Sequence, residues 1–333
     1  MRTFDQIYVL DLHGNSKKKE RAPDGSRDEN VFDIEQGVAI SLCVKKPGLE
    51  RGVWRGDLWG KRLEKYGALA RESSMGLTGE EISPSGPYYL FERSDEERRQ
   101  EFDAFWSISE IFPLGVTGIV TARDRLVSAH SDKDLRKKIT DFLDQSISDS
   151  EIRRRYSVGD NYQWKLSSIR LSMKDESFDK DRLGEILHHP FDIRRIYNDD
   201  RLVFRPRTSV MSLLVDGNIG LVTTRMTKDD GCVFCVDTPI GHKAASSYDL
   251  SYVYPLRISG GVENLSPAVR SFLDDCYHHH YTPEEFIGFV YAVLYAPTYR
   301  RRYAELLRID FPRVPFPKSL CRSSDGSWSK LIF

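Results

Sequence analysis

The sequence predicts a mixed chain, part α/β and part α+β. Three observations predict it. Strands that read as buried lie near the start, at Ile7-Tyr8-Val9-Leu10-Asp11-Leu12 and at Val38 to Val44. A strand-rich stretch fills residues 201–260, and helical runs close the chain between Pro267 and Leu307. The length of 333 residues leaves room for two domains of ordinary size. A hydrophobic content of 40%, with 11% aromatic, can bury a sizeable core.

Lys and Arg number 49 against 50 Asp and Glu, for a net charge of −1. That balance exerts no overall pull on nucleic acid or anionic membrane, so anion binding has to come from local patches. No apolar run approaches the roughly 20 residues of a membrane helix. Met1-Arg2-Thr3-Phe4-Asp5 lacks the apolar core of a signal peptide. Five cysteines, few and odd in number, fit reduced thiols. The expected location is cytoplasmic, with no membrane partner.

Taken in order, Ile7 to Leu12 reads as a strand running into the turn His13-Gly14-Asn15. Residues 13–30 are charged or polar, either a solvated loop or a basic loop near a phosphate backbone. Val38, Ile40, Leu42 and Val44 alternate with the small residues Ala39, Ser41 and Cys43, the pattern of a strand covered on both faces. Beyond the turn Lys46-Pro47-Gly48, the stretch from Trp54 to Glu72 reads as strand then helix, with Leu58, Leu63, Tyr66, Leu69 and Ala70 at helical spacing. Ser83-Pro84-Ser85-Gly86-Pro87 is a linker, followed by a short strand at Tyr88 to Phe91. A domain boundary is expected near residues 75–90.

Ser94-Asp95-Glu96-Glu97 opens a helix, since acidic residues favour its positive end. Gly118 to Asp124 reads as a strand leading into a turn. Ser131 caps a helix bearing Leu135, Ile139, Phe142 and Leu143, and Asp149 to Tyr156 forms another. Trp164 to Met173 reads as extended and Asp181 to Leu187 as a short helix. Strands are expected at Ile219 to Arg225, Cys232 to Val236 and Tyr252 to Leu256, and helices at Pro267 to Tyr277, Pro283 to Tyr295 and Thr298 to Leu307.

Signals for metal are weak. Cys232 and Cys235 have CxxC spacing, but three apart on a strand they point to opposite faces, and Cys276 with His278-His279-His280 lacks a matching spacing. No metal is expected. Gly260-Gly261 fits a plain turn after a strand rather than a phosphate loop. Arginine carries more information. Arg123, Arg194, Arg195, Arg205, Arg207 and Arg225 stand at expected strand ends or turns. Their guanidinium forks suit phosphates and guanine edges, and equally suit salt bridges to nearby acids such as Asp192, Asp199 and Asp200.

Six segments together resemble one family. They are Tyr8 to Asn15, Val31 to Val44, Gly118 to Asp124, Pro190-Phe191-Asp192-Ile193-Arg194-Arg195-Ile196-Tyr197, Tyr295 to Glu305 and Asp310 to Phe316. The chain resembles the C-terminal part of a type ISP restriction-modification enzyme, up to about residue 317. Such enzymes join a nuclease, a helicase-like translocase, an adenine-N6 methyltransferase and a target recognition domain. The resemblance implies the last strands and hairpin of a Rossmann-like methyltransferase sheet at 1–80. It implies a mixed α/β DNA target recognition domain with C-terminal helices at 81–317, and 318–333 is expected to be a disordered tail.

The family's S-adenosylmethionine loop and its Asn-Pro-Pro-Tyr motif are both missing from this sequence. No cofactor is therefore expected on this chain, S-adenosylmethionine serving the complete enzyme. No catalytic residue is expected here either, and the chain is not expected to transfer a methyl group alone. The implied partner is double-stranded DNA, with the missing methyltransferase and helicase portion as a separate chain in an alternative reading. By resemblance, Phe32 is placed where an aromatic residue stacks on a flipped-out adenine, the plainer reading being a core phenylalanine. The six arginines above are the candidate DNA contacts.

Overall fold

Strand β1 (Gln6–Asp11) lies between β2 (Ala39–Val44), which is antiparallel to it, and β3 (Gly52–Asp57), which is parallel. Strand β4 (Glu80–Ile82) pairs with β3, so the order is β2-β1-β3-β4. These coordinates, a computed structural model, describe residues 3–17, 19–71, 79–84, 89–91, 96–214, 217–226 and 233–316. The chain divides into two compact units, Met1–Glu96 and Glu97–Phe333. The expected tail at 318–333, Cys232 and residues 85–88 of the expected linker and strand lie outside the described residues. Tyr89 to Phe91 are not in a strand.

The expectation that Val38 to Val44 is covered on both faces is overturned. Ile40 is 44% and Leu42 43% exposed. Strand β2 is the edge of its sheet, bonded only to β1 among the described residues. An apolar alternation records that cover is wanted, not that the same stretch of chain supplies it. Helix α1 (Arg62–Arg71) follows β3. Leu58 and Leu69 pack on a small core of Leu10, Leu12 and Val31, but Leu63 and Tyr66 are exposed and Lys65 is fully buried instead.

The second unit is larger. Its helices are α2 (Glu96–Asp103), α3 (Ile108–Ile111), α4 (Asp124–Val127), α5 (Asp132–Leu143), α6 (Asp149–Tyr156), α7 (Leu166–Ser172) and α8 (Thr208–Met211). Helices α9 (Pro267–Tyr277), α10 (Pro283–Tyr295), α11 (Pro297–Arg302) and α12 (Ala304–Leu307) close it. Side-chain caps start several of them. Ser131, Ser148, Ser266 and Thr282 each accept an early helical N–H, and Pro267 and Pro283 stand in the first turn, where no N–H is needed.

Strands β10 (Gly220–Thr224) and β12 (Ser251–Pro255) are antiparallel, flanked by β11 (Phe234–Val236) and β6 (Val116–Thr117). Leu221 lies opposite Tyr254, and Val222 opposite Val253. Successive residues point to opposite faces. Leu221 and Tyr254 therefore join Phe286, Val290 and Tyr299 of the C-terminal helices. Val222 and Val253 join Leu135, Ile139 and Phe142 of α5. This sheet is a wall with a hydrophobic cluster on each side. Strand β5 (Trp106–Ser107) pairs with β13 (Arg313–Val314).

A third sheet of this unit has the order β7-β9-β8, from β7 (Ser128–Ala129), β8 (Leu183–His189) and β9 (Asp192–Tyr197). The expected helix at Asp181 to Leu187 is only a 3-10 turn at Lys180–Arg182 before β8 begins. Pairing with β9 across a tight turn decides it. The expected extended run at Trp164 to Met173 is helix α7. Its buried face is Leu166 and Arg170, four apart, and Arg170 disguised the pattern. The Arg170 guanidinium donates to the carbonyls of Phe142 and Ile147, both at 2.8 Å. Gly118 to Asp124 is extended only in part: Ile119 and Val120 make single bridges to Gly241 and Arg205, and α4 begins at Asp124. Gly260 and Gly261 form a turn after β12, both with positive φ.

Candidate nucleic-acid interface

Phe32 is not a core residue: 58% of it is exposed. It sits in an irregular loop before β2, and the loop is held by one face of α1. Lys65 Nζ donates to the carbonyl of Glu29 at 2.7 Å, Arg62 to those of Asn30 at 2.8 Å and Phe32 at 2.9 Å, and the Tyr66 hydroxyl to that of Val31. Residues 62, 65 and 66 share a helix face by their spacing. Four consecutive main-chain carbonyls thus accept from three side chains. Lys65 also bonds the Leu12 carbonyl and pairs with the buried Asp28 at 2.7 Å. On the other side Asn30 donates to the carbonyls of Gly14 and Gln36 and accepts from the Phe32 N–H. Gly14 has φ +84°, and a Cβ there would lie 2.4 Å from Asn30 Cα, so only glycine fits.

At the C-terminal ends of β1 and β3 lies a polar cluster that the sequence did not announce. His13 Nε2 is 2.9 Å from Asp57 and Nδ1 is 3.2 Å from Glu20. Trp59 stacks on the imidazole. Arg55 Nη2 bridges Asp11 at 3.1 Å and Asp57 at 3.0 Å. Burial pushes the Asp57 carboxyl up, but the hydrogen bond and charge of Arg55, helped by His13, outweigh it and hold the group below its usual range. Asp11, His13 and Asp57 are close enough to share a metal ion. The donor set fits one poorly, because the Arg55 guanidinium already supplies the positive charge between the two aspartates. Among the described residues no other group of three such ligands forms, and Cys235, Cys276 and the His278–His280 run join none.

The six candidate arginines have different surroundings. Arg123 is buried, against the expectation of a DNA contact. Its Nη1 donates to the Leu202 carbonyl at 2.8 Å and its guanidinium lies 3.9 Å over the Trp164 ring. Burial pushes its pKa down to about 10. The core takes up this side chain, leaving it no outward face for a ligand. Arg194 clasps Asp192 through two nitrogens. Arg195 pairs with Asp132 at 2.5 Å and Glu185 at 2.8 Å. Arg225 pairs with Asp310 at 2.7 Å.

Arg205 and Arg207 are otherwise. Neither has a carboxylate partner among the described residues. Arg205 is exposed and lies over the Phe204 ring. Arg207, at φ +56°, donates to Thr117 Oγ1 at 3.1 Å, and its buried Nε has no partner. Pro206 between them lines a cleft of about 440 Å³ whose wall also holds Arg195, Asn198, Ser212 and Asp237. Of the six arginines only Arg195 lines this cleft, together with Glu185; Arg205 and Arg207 are the chain neighbours of Pro206 in its wall. Arg225, against Phe311, belongs to another part of the same unit.

These surroundings can be set beside known proteins. The family model of the Type ISP C-terminal specificity domain matches residues 110–322, and the chain belongs to that family. Three solved structures are similar over 94% of the chain. A DrdV–DNA complex solved by cryo-electron microscopy has 22% identity and a TM-score of 0.67. A nuclease-deletion mutant of the Type ISP restriction-modification enzyme LlaGI, in complex with a DNA substrate mimic, has 20% and 0.62. The ATP-dependent Type ISP restriction-modification enzyme LlaBIII bound to DNA has 19% and 0.65. At these identities the likeness is one of fold. The chain spans 33%, 26% and 22% of their lengths. No curated protein matches it.

Proposed function

We propose that this chain recognises duplex DNA as the specificity part of a restriction-modification enzyme, and carries the closing strands of a Rossmann-like methyltransferase sheet. One observation carries the reading most. Within a specificity-domain fold, Arg205 and Arg207 flank Pro206, which lines a cleft, and have no acid to neutralise them among the described residues. Unneutralised guanidinium groups release counterions from DNA on binding, whereas Arg194, Arg195 and Arg225 must first leave a carboxylate. Phe32, exposed and held by its backbone, suits stacking on an extruded base. No residues of this chain match the loop that would hold S-adenosylmethionine, so no methyl-transfer step is assigned to it.

The test is duplex binding measured across a range of salt. Affinity is expected to fall steeply between about 50 and about 200 mM salt. Arg205→Ala and Arg207→Ala should each weaken binding and reduce the salt slope by about 1. A folded sample that binds no duplex at low salt overturns the reading.

A second reading rests on β2. Its outer edge, unpaired among the described residues, and the exposed Ile40 and Leu42 suit strand addition by a separate methyltransferase-bearing chain. Co-elution with such a chain and restored methylation support it; independent migration refutes it.

A further inference from the structure

Strands β8 and β9 are joined by a two-residue turn, Pro190-Phe191, with His189 opposite Asp192. Proline suits the first corner, because its ring fixes φ near −65°. Phe191 takes the second corner at φ +62°. Glycine or asparagine ordinarily fills that position, and a bulky residue there is strained. The Phe191 ring is 96% exposed, so no packing within the protein offsets the strain or its contact with water. Ile193, two residues on in β9, is exposed too.

The groups at the foot of this tip are polar. Arg194 holds the Asp192 carboxylate through two nitrogens. His130, just beyond β7, lies 3.9 Å from Asp192, and His188 lies 3.8 Å from it. His188 Nδ1 is buried and has no hydrogen-bond partner.

We infer that the Pro190-Phe191 tip is a wedge that enters a base step of duplex DNA, with the Phe191 ring stacked between bases. This deepens the DNA-recognition reading and rests on it. A two-stranded ribbon fits a DNA groove, and phenylalanine and proline are among the residues that unstack base steps. A protein-docking surface would surround the ring with a broad apolar patch, whereas the groups at the foot of this tip are imidazole, guanidinium and carboxylate. His130 offers a donor to a flanking phosphate, and Arg194 offers one on leaving Asp192.

A wedge unwinds DNA, and that can be read without knowing the target sequence. A closed circular plasmid is relaxed by a topoisomerase in the presence of the full chain, and its linking number is then measured. The parent chain is expected to shift the linking number. Phe191→Gly should abolish the shift and weaken duplex binding by about tenfold, the scale of one stacked base. Its Tm should hold or rise by up to about 2 °C as the strain is relieved. Phe191→Trp should keep the shift. The inference is overturned if Phe191→Gly keeps both shift and affinity, the result a protein-docking tip predicts. It is also overturned if the parent binds duplex without any shift. A parent that binds no duplex overturns the DNA-recognition reading and the wedge together.

Discussion

The sheet of β10 and β12 is buried on both faces, while the sheet that ends in β2 runs out into solvent. Both strands are rich in apolar and small residues, Gly220-Leu221-Val222-Thr223-Thr224 against Ala39-Ile40-Ser41-Leu42-Cys43-Val44. The difference lies in what flanks them. Helices α5 and α10 cover the two sides of β10 with hydrophobic clusters. Among the described residues the first unit has a small buried apolar cluster, Leu10, Leu12 and Val31, with Tyr8, Val9, Ala22 and Val53 buried apart from it. It relies in addition on polar ties: the Lys65–Asp28 pair, the carbonyl clamp of α1 and the Arg55–His13 cluster. One unit is filled, the other is tied.

That contrast can be broken most directly at Lys65. Lys65→Ala leaves Asp28 buried without a cation and should cost about 3–5 kcal/mol in denaturant unfolding of the first unit. Pairing it with Asp28→Leu should recover much of the loss. If Lys65→Ala proves neutral, the polar tie is not what holds this unit. A matched pair of truncations sharpens the contrast next. Leu221→Ala should cost about 2–5 kcal/mol, because it opens a cavity in a filled cluster. Leu42→Ala should stay within about 0.5 kcal/mol. Equal losses would contradict the exposure of β2.

The smallest effect is one of pH. Burial, then the charges of Arg194 and His189, hold His188 below its ordinary range against the pull of Asp124 and Asp192. As the pH falls, the unfolded chain therefore takes up this proton before the folded chain does. The stability His188 contributes is complete above about pH 6.5 and is lost as the pH falls from there toward its folded value. His188→Gln should flatten that stretch of the stability curve for the second unit, measured by thermal melts; an unchanged slope would reject the assignment.

Where local chemistry decides structure, the sequence was readable. Ser266-Pro267 and Thr282-Pro283 begin helices α9 and α10 where the capping residues say they should. Strand β1 was readable for its unbroken apolar run. The β8–β9 hairpin was not, because His188-His189 and Arg194-Arg195 interrupt the alternation and only the pairing across Pro190-Phe191 restores it. The same applies to the candidate site. Six arginines could be proposed from their positions, but sorting buried Arg123 from unneutralised Arg205 and Arg207 takes the neighbours that folding brings. The His13 cluster joins residues 11, 13, 20, 55 and 57, which no local motif connects.

The clamp of α1 on the Phe32 loop has a consequence for variation. Four of its bonds to that loop, from Arg62, Lys65 and Tyr66 to residues 29–32, go to main-chain carbonyls, which every amino acid carries, beside the contacts of Arg62 with the Glu29 and Asp33 carboxylates. The shape of the loop is thus written largely in the helix. Side chains at 31 and 32 can be exchanged without taking those bonds away, while positions 62, 65 and 66 have far less latitude. A mutational scan of the two segments should find tolerance in the irregular loop and intolerance on the regular helix, the reverse of the usual order for loops and helices.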